Sequence, residues 1–392
     1  MFPERFSTLP AYAFPRLREL LDVHEPGGPI IHMTIGEPKH AFPAFVTDVI
    51  AAHGDGFNRY PPNDGTPELR GAFCDWLAQR YGVDLDPDVH VMPLNGTREG
   101  LYNAVMALCP ETKGGKQPTV LMPNPFYQVY MVATLSGAGE PVFVNATETS
   151  GHLPNFEALP TDQLARATAA YICSPANPQG AVADADYWSN LIDLAENYNF
   201  RIFADECYSE IYRDTPPTGV LEVAKAKGTD PERVVAFHSL SKRSNLPGLR
   251  SGFMTGGPET IKAAKQLRNY AGAPLPLPLQ HAAEAAWRDE DNVIENRRLY
   301  GEKYKLADRI LGNVSGYRTP DAGFFLWLPV KDGEAAALKL WRETGVRVLP
   351  GAYLAQEAEG VNPGQGYIRV ALVAPKNETE AGLRAIRACL YD

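Results

Sequence analysis

Lys242 stands in distinctive company in the run Ser239-Leu240-Ser241-Lys242-Arg243-Ser244-Asn245-Leu246-Pro247-Gly248-Leu249-Arg250-Ser251-Gly252, between two apolar stretches. A lysine that condenses with a carbonyl has to sit where water is partly excluded, so that its pKa falls toward neutrality. Hydroxyls at Ser239 and Ser241 and the guanidinium of Arg250 are the donors a phosphate requires. A lone loop lysine reads as a solvated charge; this grouping makes Lys242 a candidate amine nucleophile beside an anion site.

Other groups of residues close apolar runs in the same way. Phe203-Ala204-Asp205-Glu206-Cys207-Tyr208 puts a carboxylate at the end of a buried run, where a helix cap is the bland alternative. Ser174-Pro175-Ala176-Asn177-Pro178-Gln179-Gly180 is by itself a turn sequence. Asn95-Gly96-Thr97-Arg98-Glu99 opens an amphipathic segment whose first N–H groups and dipole suit a phosphate, although plain capping explains it nearly as well. Pro123-Asn124-Pro125-Phe126-Tyr127-Gln128-Val129-Tyr130 offers aromatic rings that core packing could also claim. Tyr367-Ile368-Arg369-Val370-Ala371 holds an arginine in an apolar strand, where an unpaired charge is costly and a carboxylate partner is expected, from a ligand or from a structural ion pair.

The elements that must position these residues follow one rhythm, a short β-branched run, a polar or glycine-containing loop, then a longer amphipathic segment. Strands are predicted over Thr119 to Met122, Ala170 to Cys173, Arg201 to Ala204, Val234 to Phe237 and Gly252 to Thr255. Helices are predicted near Arg98 to Leu108, Ala185 to Tyr198 and Pro258 to Asn269. Such runs suit a mostly parallel α/β sheet, which places ligands at the carboxyl ends of its strands. Beyond about residue 280 the character changes to long charged helical patterns around His281 to Leu311, a strand-like Gly323 to Pro329, a helix over Gly333 to Thr344 and a final strand, loop and helix from Tyr367. The expected division is a large domain over 45–280 and a smaller one built from 1–44 and 281–392.

At 392 residues and 44% hydrophobic, the chain can bury a sizeable core. Its net charge of −10, without a basic tail, argues against nucleic acid and anionic membranes as partners. The N-terminal stretch carries an early acid and several prolines and does not read as a targeting peptide, and no apolar run reaches membrane length, so a cytoplasmic protein is expected. Five scattered cysteines without a CxxC pair are expected to stay reduced, and without HExxH or a Cys/His cluster no metal is expected.

The lysine run resembles the signature of class I and II aminotransferases, matching S-x-S-K, then N-L, then G-x-R-x-G, with Ser251 where that signature usually has an aliphatic residue or alanine. The other segments occur in the family's order, from about Pro10 to near the C-terminus, with Gln179 replacing the usual threonine of the N-P-x-G turn. The resemblance implies an aspartate-aminotransferase-like α/β fold, pyridoxal 5′-phosphate as cofactor, amino-acid and keto-acid substrates, and a homodimer with shared sites. It implies that Lys242 carries the cofactor, that Asp205 pairs with the ring nitrogen and that Asn177 and Tyr208 bond the ring oxygen. By the same carry-over Tyr127 covers the ring, Gly96, Thr97, Ser239, Ser241 and Arg250 hold the phosphate, and Tyr60 reaches the partner's phosphate. Arg369 is implied to clamp the substrate carboxylate, with Gly36 and Asn177 beside it, and Lys39 and Arg98 are candidates for the far end of a long substrate. Within the family the wording is similar to bacterial N-succinyldiaminopimelate aminotransferases of lysine biosynthesis, in Ile35-Gly36-Glu37-Pro38-Lys39-His40, Asp205-Glu206-Cys207-Tyr208-Ser209-Glu210-Ile211-Tyr212 and Asp321-Ala322-Gly323-Phe324 among others. An aspartate or other amino-acid aminotransferase, or a β-lyase, is the alternative on the same scaffold.

Overall fold

The computed structural model describes residues 4–7, 9 and 11–392; Pro10, where the resemblance begins, lies outside them. Seven strands form one sheet: β1 (Val91–Leu94), β2 (Thr119–Asn124), β3 (Glu140–Asn145), β4 (Ala167–Cys173), β5 (Arg201–Asp205), β6 (Val234–Ser239) and β7 (Gly252–Thr255). Their spatial order is β1-β7-β6-β5-β4-β2-β3, and only β7 runs antiparallel to its neighbours. Alternation along each strand feeds two cores. On β5, Ile202 and Ala204 face one side with Trp188 and Phe253, while Phe203 faces the other with Tyr130 and Tyr171. Helices cover both faces, so the central strands are buried throughout, as a parallel sheet requires.

Against this unit packs a three-stranded antiparallel sheet of β8 (Phe325–Pro329), β9 (Leu349–Pro350) and β10 (Tyr367–Ala371), in the order β9-β10-β8. The N-terminal segment joins it. Ile31 and His32 pair in parallel with Val346 and Arg347, and Leu17 and Leu21 of α1 (Ala13–Leu21) pack with Trp341 and Tyr353.

Strands β1 and β3 and the helix Pro67–Tyr81 are not predicted from the sequence, and the charged helical stretch around His281 to Leu311 divides into two helices, Leu277–Arg288 and Asp291–Leu311. Asp289 breaks it, with an extended backbone and a carboxylate that accepts from Asp291 N at 3.0 Å.

Phe253 of β7 is fully buried, stacks on Phe73 at 4.3 Å and lies 5.1 Å from the Trp287 ring. Phe253→Ala is expected to destabilise the protein by about 3–5 kcal/mol, read as a lowered midpoint in chemical denaturation.

Candidate active site

The loops leaving the carboxyl ends of β4, β5 and β6 converge because these strands run parallel and in close register, Cys173 opposite Asp205 and Asp205 opposite Phe237. They line a cavity of about 360 Å³ with the starts of α2 (Thr97–Leu108) and α3 (Gln128–Ser136), the segment around Gly36, and β10. Of the residues singled out by sequence, Gly36, Thr97, Arg98, Tyr127, Asn177, Asp205, Tyr208, Ser239, Ser241, Lys242, Arg250 and Arg369 all line it.

Lys242 lies in a four-residue helix, α4 (Leu240–Arg243), capped by Ser239, whose hydroxyl accepts from Ser241 N at 3.1 Å. Its ammonium donates to the Gly36 carbonyl and sits 5.3 Å from the centre of the Phe324 ring. Burial pushes this amine down to about 8, and the Arg369 guanidinium adds to the shift. An amine so placed is in its free, nucleophilic form far more often near neutral pH than an ordinary lysine.

Asp205 is buried at the end of β5, accepting from the Tyr130 hydroxyl at 2.8 Å and from Cys207 N at 3.3 Å. Burial raises its pKa, and these donors and the Lys242 charge work against that rise. Tyr130 is itself stacked on Tyr171 at 4.3 Å. It sits one helical turn beyond Tyr127, and that spacing is the sequence signal that could have found it.

Arg369, 4% exposed on β10, donates to Thr34 O at 2.7 Å and to Asn177 Oδ1 at 3.1 Å and lies 4.2 Å from the centre of the Phe325 ring. Burial lowers its pKa to about 10. Its Nε is buried without a partner, and among the described residues no carboxylate comes within ion-pair distance, so the structural ion pair is not the answer. Because Asn177 uses its oxygen on Arg369, its amide N–H groups remain as donors.

At the other end of the cavity, Gly96 caps α2 with φ +82°, and a Cβ there would overlap the Arg250 guanidinium. Arg250 itself adopts the left-handed region at φ +58°, a strained choice for a non-glycine residue, and donates to Pro247 O at 2.8 Å. The α2 N-terminus, Ser239, Ser241 and Arg250 thus gather N–H, O–H and guanidinium donors at one place, the donor set of an anion site. Tyr127 accepts from Arg98 Nε at 2.7 Å, and Thr97 Oγ1 lies 3.1 Å from Cys207 Sγ.

Two expected residues fall elsewhere. Lys39 is exposed and outside the cavity lining, its charge acting on His32 and Lys303; the inward positions of its segment are taken by Gly36 and His40. Tyr60 is fully exposed and does not line the cavity of its own chain.

The model of the family "aminotransferase class I and II" matches residues 29–386, and the chain belongs to that family. It is 32% identical over 389 residues to an LL-diaminopimelate aminotransferase of Dehalococcoides mccartyi, covering 97% of this chain and 96% of that one. Among solved structures it is similar to an aminotransferase from Neisseria meningitidis with 40% identity, TM-score 0.94 and 99% of each chain covered. It also resembles a protein of Thermus thermophilus described as a probable N-succinyldiaminopimelate aminotransferase, with 25% identity, TM-score 0.83 and coverage of 96% and 98%. The fold is aspartate-aminotransferase-like, and the family depends on pyridoxal 5′-phosphate. The residues present fit that group: a buried amine of lowered pKa, a buried carboxylate, an anion-holding cradle that a Cβ at Gly96 would fill, and a buried guanidinium with an orphaned N–H.

In cofactor-free protein, acylation of Lys242 by an amine-selective reagent is expected to rise with pH through a midpoint near 8, followed at the Lys242 peptide by mass spectrometry. A midpoint at the ordinary lysine value, about 10.4, would contradict the burial argument.

Proposed function

We propose that the chain transfers the amino group of glutamate to N-succinyl-2-amino-6-ketopimelate, giving N-succinyl-LL-2,6-diaminopimelate for lysine biosynthesis. The observation that carries the transaminase chemistry is the pairing, across one cavity, of the Lys242 amine with the unpaired Arg369 guanidinium. Arg369 takes the substrate α-carboxylate through two parallel hydrogen bonds, aided by the Gly36 segment and an Asn177 N–H. That clamp would hold the Cα–H toward Lys242, whose free amine would take the Cα proton as general base and give it back as general acid. When bound, pyridoxal 5′-phosphate supplies the carbonyl that condenses with the amino group and the electron-withdrawing ring that makes the Cα–H acidic. Asp205, oriented by the donors Tyr130 and Cys207 N, would hold a proton on the ring nitrogen. Tyr208 and Asn177 would donate to the ring oxygen, Tyr127 would cover one face, and Ser239, Ser241, Arg250 and Thr97 with the Gly96 turn would hold the phosphate.

Arg98 is the candidate for the distal carboxylate, supported by its place at the cavity wall and by having only the Tyr127 hydroxyl as a side-chain partner among the described residues. The homodimer reading gives Tyr60 its role toward the partner's phosphate and is supported by its full exposure on the single chain. The division into 45–280 and 1–44 with 281–392 is supported by the pairing of Ile31–His32 with Val346–Arg347.

The succinylated substrate is supported by the motif wording and by the Thermus thermophilus likeness. A second reading, free LL-2,6-diaminopimelate, is favoured by the name of the 32%-identical Dehalococcoides mccartyi relative. Glutamate formed from 2-oxoglutarate with each diamino acid decides between them: faster turnover of the succinylated compound supports the first, of the free compound the second. Keto-acid-independent ammonia release would point to a β-lyase instead. Lys242→Ala is expected to lose at least about a hundredfold in kcat, and turnover near wild type would remove the mechanism.

A further inference from the structure

Lys242 belongs to a helix of four residues, too short to satisfy its own end. The carbonyls of Lys242 and Arg243 have no following turn to bond, and both are met by one side chain from far along the sequence. Asn296, 3% exposed on α5 (Asp291–Leu311), donates its amide to Lys242 O at 3.2 Å and to Arg243 O at 3.3 Å. Carbonyl oxygens only accept, so the NH2 group of Asn296 must face them and its Oδ1 must face the other way. That oxygen lies 2.9 Å from His40 Nδ1, which therefore carries the hydrogen. His40 ends the segment whose Gly36 carbonyl accepts from the Lys242 ammonium.

The same helix adds a second support. Tyr300, four residues beyond Asn296 and on the same face, meets the His40 ring at 4.6 Å and the Phe324 ring at 5.5 Å; Phe324 in turn lies beneath the Lys242 ammonium.

We propose that Asn296 is a positioning residue for Lys242: it fixes the main chain of the lysine directly and the acceptor of its side chain through His40. It touches neither the cavity nor any reacting atom, and its effect on the reaction runs through where the amine is held. Without it, the end of α4 is free to shift, and the amine gains positions nearer to water.

The test uses the full-length protein with Asn296→Ala and the isosteric Asn296→Asp, which keeps the acceptor for His40 and removes both donors. Thermal melting establishes that each variant is folded. With cofactor bound, kcat is expected to fall about tenfold while the glutamate KM stays within about twofold, because misplacement of the amine weighs on the reacting geometry more than on substrate binding. In cofactor-free protein, the pH midpoint for acylation of Lys242 is expected to move up toward the ordinary lysine value. A folded variant with wild-type kcat overturns the proposal. So does a loss of kcat with an unmoved labelling midpoint, since Asn296 would then act on something other than the lysine. Should neither Asn296 variant fold, His40→Ala is read by the same two measurements. The inference rests on Lys242 being the cofactor lysine, and the two fail separately: that assignment by full turnover of Lys242→Ala, this one by the labelling profile of the Asn296 variants.

Discussion

Two cationic side chains, Arg369 and Lys242, share one small cavity, and neither has a protein carboxylate within ion-pair distance among the described residues. Burying an unpaired charge is among the costliest things a fold can do. The surroundings reduce the cost without removing the charge. Arg369 is given carbonyl and amide oxygens and the face of Phe325, none of which neutralises it. Lys242 is given one carbonyl, and its pKa falls to about 8. A protein carboxylate beside either would stabilise the fold and change the site, since the guanidinium would no longer be free for a carboxylate ligand and the amine would hold its proton more tightly.

Asp205, a buried carboxylate lining the same cavity, illustrates how separation is enforced. It hangs from the end of β5 with its oxygens taken by Tyr130 and Cys207 N, so it is turned to a fixed direction and held off Lys242. The parallel sheet makes such arrangements possible because neighbouring strands end together. Asp205, Ser239 and the turn through Asn177 emerge in one row from adjacent strands, each with its direction set by rigid backbone.

The motif residues at those strand ends were legible in the sequence because their roles are local: a strand end, a turn, a helix start. The strands hidden from the sequence, β1 and β3, are the two edges of the sheet, and each contains a proline, Pro93 and Pro141, which disguises a strand and is tolerated only where a ladder bond is not needed. Lys39 drew attention as a cation, yet its segment turns His40 inward. Asn296 could not be read as a site residue from composition or spacing, because what matters in it is a hydrogen bond to a residue 54 positions away.

The segment from Thr34 to Ala41 ties these parts together. Its carbonyls accept from Arg369 at Thr34, from Lys242 at Gly36 and, at 3.2 Å, from Asn245 at Ala41, while His40 reaches Asn296. A stretch of eight residues thereby spans the cation proposed to hold the substrate and the amine proposed to move its Cα proton. At Gly36 this stretch lies against the aromatic wall, where a Cβ would lie 2.5 Å from Phe325 Cζ and 3.0 Å from Phe324 Cε2. Any side chain there would push the segment off the rings, and the displacement would be felt at both cations at once, because their acceptors belong to the same short piece of backbone. The distance between the Arg369 guanidinium and the Lys242 amine is therefore set by a strap that neither of them belongs to, and the precision of the site depends on how firmly that strap is anchored at its His40 end.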